Sequence, residues 1–296
     1  MANFDWIIVI SYILCLVGIG MYFTKQAAKS TTSFFLAGRT LPWFISGTSM
    51  IATDFSAAAP LMISGISRES GISGNWFWWC FAIGGITTAF FFARLWRRTE
   101  VLTDIEFIAK RYEPSKAASF LRLFKVLFDG VLINCVVMAS GTVAIAKIIK
   151  VVLNLSDTAI FHLPLLGDVT STGVLLSILG GSAVLYSSLS GLYGAAYTNL
   201  LQFVMAMIGS IVLAAIVYID ASHGVGLMAK LTTSSAFKPS LLQFFPDLNT
   251  FSLPTFTFFV YIFLAWWAFA PGSGQYAQRI LAARSEKDFY FGISVV

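Results

Sequence analysis

Asp54 stands near the middle of an apolar stretch, residues 41–65, that is long enough to cross a bilayer, roughly 20 residues being needed for a ~30 Å hydrocarbon core. A carboxylate at that depth is costly to hold, which marks it as a candidate for function. Thr53 and Ser56 flank it, and Ala57, Ala58 and Ala59 lead into Pro60. Hydroxyls that compete for backbone bonds and a proline without an N–H together invite the helix to break. Broken helix is tolerated in lipid only where its freed amides and carbonyls face protein or a water-filled cavity. The chemistry on offer is binding of an ion or solute by bared backbone groups at mid-membrane. The same residues also suit a proline-kinked span in which Asp54 caps a neighbouring backbone, and the sequence leaves both readings open.

Little else in the chain is equipped for reaction chemistry. His162 and His223 fall in polar connections, with no paired carboxylates and no GxSxG or HExxH arrangement, so an enzyme is not expected. Cys15, Cys80 and Cys135 lie inside apolar runs without CxxC spacing and are expected to act as small hydrophobes.

The elements that must position Asp54 follow from composition. Hydrophobic residues make up 57% and charged residues 11% of the chain, where soluble domains carry about 25% charged residues. An all-α, polytopic membrane protein is implied. The net charge of +5 comes from residues between spans rather than from a basic stripe interleaved with aromatics, so nucleic acid is not an expected partner and the lipid bilayer is. Spans are expected at 6–23, 41–65, 76–92, 120–149, 172–189, 198–219 and 251–269, with another beginning at 289–296. Fourteen Lys and Arg then fall on one side and five on the other. That bias predicts a multi-pass plasma-membrane protein with an external N-terminus. A second interruption is expected at Pro271-Gly272-Ser273-Gly274, five spans after the first and in a helix running the opposite way. Paired interruptions of this kind point to an inverted repeat with its site between the halves.

Several stretches carry a specific resemblance. Phe34-Phe35-Leu36-Ala37-Gly38-Arg39 precedes Leu41-Pro42-Trp43, and Gly47-Thr48-Ser49-Met50-Ile51-Ala52-Thr53 follows. Further along come Ser64-Gly65, the turn Ser190-Gly191-Leu192-Tyr193-Gly194 leading to Gln202, and Gln278-Arg279 with Leu281-Ala282-Ala283-Arg284. Together these resemble the sodium:solute symporters, relatives of the sodium/glucose, proline and pantothenate transporters. The resemblance implies a LeuT-like five-plus-five inverted repeat behind one extra N-terminal helix. On this chain that gives the extra helix at 1–24, a cytoplasmic segment at 25–40, a first repeat at 41–220, an external loop at 221–250, and at 251–296 the start of a second repeat that the sequence leaves incomplete.

The resemblance also implies site residues. Sodium is expected on the backbone carbonyls of Ala52 and Phe55, as oxygen ligation suits a hard monovalent cation; hydroxyl ligands from a later helix have no counterpart in this chain. Asp54 and Ser56 are expected near sodium or solute. Phe269 corresponds by spacing to an inner-gate aromatic, but lacks the hydroxyl of a tyrosine. Trp266 is placed to stack on a solute, or to pack against its neighbours. Trp78 near its span's end suits a solute contact or, better, an aromatic belt. Asn134, expected to be buried in its long span, suits a solute contact or, better, a bridge between helices. Thr198 is followed by Asn199 where an Asp is usual, which weakens a cation relay at the point of sodium release. The implied activity is import of a small organic solute, a sugar, amino acid or organic acid, coupled to sodium by alternating access. A transporter-like sensor domain and an inactive fragment of a symporter are the competing readings.

Overall fold

The structure is a computed structural model that describes residues 3–112, 114–155, 159–163, 167–222, 226–234, 237–248, 252–269, 274–285 and 288. The expected interruption at 271–273 and the expected span at 289–296 lie outside the described residues, as does His223.

Helix α1 (Asn3–Ala27) is predominantly apolar from Trp6 to Phe23, with Lys25 in its last turn. A turn leads to the short α2 (Thr31–Leu36), whose N-cap Ser30 accepts a bond from the Ser33 amide and so satisfies one of the amides a helix start leaves open. The chain then passes through three consecutive left-handed residues, Ala37, Gly38 and Arg39. Two of these are not glycine, a conformation that persists only when surrounding contacts enforce it. They are enforced here: the Arg39 Nη2 donates to the Glu100 carbonyl at 2.8 Å and the Gln278 Nε2 donates to the Phe35 carbonyl at 2.8 Å. Helix α3 (Trp43–Asp54) starts behind Pro42, whose lack of an N–H costs nothing at a helix start. Helix α4 (Ala58–Ser70) continues at a bend of 58°.

Helix α5 (Trp76–Thr87) passes through a π-helical stretch at Thr88–Phe92 into α6 (Ala93–Thr99). The helical run therefore extends beyond the expected limit at residue 92 and includes Arg94, Arg97 and Arg98. Helix α7 (Asp104–Arg111) is a short amphipathic element capped by Thr103, with acids in its first turn and bases in its last. Helix α8 (Lys116–Lys125) runs through a second π-helical stretch, Val126–Ile133, into α9 (Asn134–Leu153). An antiparallel hairpin follows, β1 (Ala159–Leu163) and β2 (Gly167–Thr170), where the sequence suggested only a loop.

Helix α10 (Ser171–Ser222) holds 52 residues in two arms joined at Gly191, whose φ of 53° and ψ of −148° interrupt the helix. At about 1.5 Å per residue it is more than twice as long as a ~30 Å core requires, so the two expected spans are the two arms. Gly191 is obligatory at this joint, because a Cβ would be driven into the Phe34 carbonyl. Helices α11 (Leu227–Thr232) and α12 (Leu253–Phe263) follow. Helix α12 gives way to a 3₁₀ segment, Ala265–Phe269, so the α-helical part of this expected span ends six residues early. Helix α13 (Gly274–Ala282) closes the described chain and packs on α2, α3, α6 and α7.

Among the described residues, four helices are long and apolar enough to cross a membrane, or five with the bent α3–α4 pair as one span. The deepest core is not spread along these spans. It sits where Leu36, Leu41, Ile45, Leu192, Leu281 and Ala282 meet. There the Leu41 amide donates to the Ala282 carbonyl and the Arg284 amide to the Leu41 carbonyl, joining two segments some 240 residues apart.

Candidate functional site

The break in the α3–α4 span is made by its backbone bonds. The Phe55 amide completes the last regular bond, to the Ile51 carbonyl. The Ser56 amide, which a continuing helix would give to Ala52, bonds instead to the Asp54 carbonyl at 3.0 Å. The Ala59 amide reaches the Ser56 carbonyl rather than that of Phe55, and Pro60 has no amide to give. The carbonyls of Ala52 and Phe55 thus drop out of the ladder, one on each side of Asp54. Asp54, Phe55 and Ser56 are exposed on the chain's surface.

Helix α13 is laid across this break. The Tyr276 hydroxyl donates to Asp54 Oδ2. One turn further along, the Arg279 Nε donates to the Ser49 Oγ at 3.0 Å, and the Ser46 Oγ donates to the Arg279 carbonyl at 3.1 Å. Residues three apart on one helix share a face, so Tyr276 and Arg279 meet Asp54 and Ser49 along a single contact. From the other side the Asn199 Nδ2 donates to the same Ser49 Oγ at 3.0 Å. Ser49 is fully buried and Arg279 is 8% exposed. Burial pushes the Arg279 guanidinium down to about 10, with Asp54 and Tyr276 acting in the opposite direction. It therefore stays a cation near neutral pH, held in a site where a cation needs both charge and hydrogen-bond compensation.

The sequence marked Arg279 as part of a signature lying between expected spans and said nothing of its burial; the structure buries it in the junction. The sequence did not single out Tyr276, and it marked Ser49 only as part of the 47–53 signature, not as a site residue. The one signal for them was the three-residue spacing of Tyr276 and Arg279, which a short amphipathic helix with basic residues does not distinguish from a surface face.

The other candidates stand elsewhere. Trp78 is half-buried with its ring edge-on to Phe77. Its indole nitrogen is buried with no hydrogen-bond partner among the described residues, a donor that a native site is expected to satisfy. Trp266 is half-buried and edge-on to Trp267, which packs on Phe92. Phe269 ends the 3₁₀ segment, and its side chain lies outside the described residues. Asn134 is the clearest departure. Residues 126–140 are exposed without exception, so Asn134 is not buried and bridges no pair of described helices. A long apolar span predicts membrane depth and not helix contact, since lipid covers an apolar face as well as protein does.

A cavity of about 560 Å³ opens between α4, α5 and α12. Ile66, Glu69, Trp76, Phe77, Phe258 and Tyr261 are among its walls. Trp76 meets Phe258 edge-on and Phe77 meets Tyr261 likewise, so the wall is a continuous aromatic sheet from α5 to α12. Its size is in the range of small-molecule sites. Glu69 and Tyr261 were not foreseen as lining residues.

The chain matches the sodium:solute symporter family over residues 34–295. It is similar to sodium/glucose cotransporter 1 of Oryctolagus cuniculus, 25% identical over 211 residues that make up 71% of this chain and 29% of the relative. The sodium/glucose cotransporter of Vibrio parahaemolyticus is 28% identical over 204 residues, 67% of this chain and 33% of the relative. The chain spans about a third of the length of these curated relatives. A solved structure of a Na+-coupled sialic acid symporter, substrate-bound and outward-open, superposes with a TM-score of 0.73 at 16% identity, covering 99% of this chain and 56% of that one. The shared fold is the all-α, LeuT-like membrane architecture.

Proposed function

The chain belongs to the sodium:solute symporter family, and on that premise we propose that it works in secondary active transport, carrying a small organic solute inward together with sodium. The observation that carries this reading is the pair of carbonyls, Ala52 and Phe55, released from the helix on either side of Asp54. Sodium is cargo here. A hard cation takes oxygen ligands, and two peptide oxygens beside a carboxylate supply them; Ser56 adds a hydroxyl within the same break. Rocking of one repeat against the other opens the break to each side in turn. The solute takes the space between the broken helix and the aromatic wall of α5 and α12. Trp78 offers an indole N–H that lacks a partner, Trp266 and Phe269 are the further aromatic candidates for contact with the solute, and Asn199 stands on the route by which sodium leaves. Sugars, amino acids and organic acids all suit such a space; the sodium/glucose relatives favour a sugar. The asymmetric distribution of Lys and Arg supports an external N-terminus.

The test is uptake by the intact protein in proteoliposomes, screened with labelled sugars, amino acids and organic acids, with sodium or potassium as the external cation. Uptake should be stimulated by sodium and cut by about tenfold or more in Asp54→Asn, on the scale of losing one charge-assisted contact to a cation. Uptake indifferent to sodium would overturn the proposal.

A further inference from the structure

Among the described residues Arg279 is the only charged side chain that is buried, and it bonds to Ser49 on the helix that ends at the break assigned above to sodium. Ser49 and Asp54 lie on the last turns of α3, and α13 engages both, through Arg279 and Tyr276. The acceptor capacity of the Ser49 hydroxyl is taken up by Arg279 and Asn199 together, since an oxygen of this type has two lone pairs. Asn199 therefore sits next to the guanidinium but, being neutral, contributes no charge to it. Asp54 is the carboxylate at this contact. A sodium ion between Ala52 and Phe55 would draw on that same carboxylate, and two cations competing for one anion repel each other.

We infer that Arg279 and sodium are alternative partners of Asp54: α13 clamps the broken helix while sodium is absent, and sodium binding releases the clamp. Arg279 is on this view a positioning residue that lowers sodium affinity in the clamped form and ties ion binding to movement of α13. The backbone bonds between Leu41 and residues 282 and 284 keep the end of α13 beside the start of α3, so what sodium releases is the contact at Tyr276 and Arg279 rather than the whole of α13. This inference rests on the proposal that sodium binds at the break.

Asn199→Asp tests it, because it offers Arg279 a second carboxylate at Ser49 and frees Asp54. The half-saturating sodium concentration for uptake by the intact protein should fall by about tenfold, within the range usual for coupling between sites. Solute half-saturation at saturating sodium should stay where it is. In an Arg279→Gln background the same Asn199→Asp change should give no further gain. A gain that persists there would mean that residue 199 binds sodium directly, and the inference fails; no change in sodium dependence from Asn199→Asp also overturns it. Tyr276→Phe removes only the hydroxyl that holds Asp54 and covers the case in which Arg279→Gln does not fold; it should lower half-saturation several-fold, and an unaltered value counts against the clamp. Wild-type uptake that ignores sodium would instead remove the sodium site itself, so the two failures are told apart.

Discussion

At the α13 junction Ser46, Ser49, Ser190 and Thr198 are buried together with Leu36, Leu41 and Ile280, whereas along the arm formed by α8 and α9 Phe120, Leu123, Val136 and Met138 are all exposed. Both regions are helical and both are rich in apolar residues. In water the arm would be unstable, but apolar surface facing lipid costs nothing, so burial in this chain is not set by hydrophobicity. It is set by where small and polar side chains let backbones approach. The junction gathers hydroxyls, an amide and a guanidinium whose bonds all find partners, and around them the chain tolerates left-handed residues and a π-bulge. The arm has a π-helical stretch of its own, Val126–Ile133, but no such network along α9 among the described residues. Polar residues therefore mean different things in the two places. One at the junction is held by partners from two other helices; on the arm Lys125 pairs with Asp104 and Asp129 at the base, and beyond them Asn134 stands among exposed residues.

The strongest way to break this contrast is to disrupt the joint on which the junction is assembled. Gly191→Val forces a β-branched side chain into a left-handed conformation and against the Phe34 carbonyl, which belongs to α2. Loss of about 3 kcal/mol or more is expected, a size reached only by strain or core disruption. The reading is the midpoint of thermal unfolding in detergent and the yield of monodisperse protein. A variant with an unchanged midpoint would mean that the joint is looser than drawn.

A smaller effect should come from Ser49→Ala. It leaves both the Asn199 amide and the Arg279 Nε without their acceptor, and each buried donor left unsatisfied costs about 1–3 kcal/mol. Because the two donors share one oxygen, Ser49→Ala and Asn199→Ala should be less than additive in the double variant. Ser64→Ala serves as a control, since the Ser64 hydroxyl bonds only to the Leu61 carbonyl within its own helix. A Ser49→Ala variant no less stable than that control would remove the junction's claim to be a polar core.

The same contrast explains what the sequence could and could not reveal. The break was legible because its causes are local: Thr53, Ser56 and Pro60 lie within a few residues of the carbonyls they release. The segments at 34–43, 190–194 and 278–284 stood out as signatures, and the structure gives the reason: all three meet in one core, with Thr40 and Tyr193 hydroxyls 2.8 Å apart and Gln278 bonded to Phe35. The burial of Arg279 was not legible, since its partner Ser49 is 230 residues away in the chain and a short basic helix looks the same whether solvated or clamped. The 3₁₀ ending of α12 and the hairpin at β1–β2 were not legible either. The hairpin has Pro164 between its strands but no Asn-Gly turn, and no proline stands where α12 passes into its 3₁₀ segment.

The smallest effect is expected on the arm. Asn134 opens α9 directly after a π-helical stretch, among residues that are exposed on every side. Residue type alone suggested a polar bridge, but a bridge needs a second helix within reach, and an amide that faces lipid gains nothing from being there. Asn134→Leu should therefore change stability by no more than about 0.5 kcal/mol, the usual limit for a side chain without partners, and leave sodium-driven uptake as it was. The informative comparison is with Asn199→Leu, the same chemical change at the junction, which strips Ser49 of a donor and should lower the unfolding midpoint clearly. If the two substitutions cost the same, the arm carries a helix partner that gives Asn134 a bond, and the division between a polar junction and a lipid-facing arm does not hold.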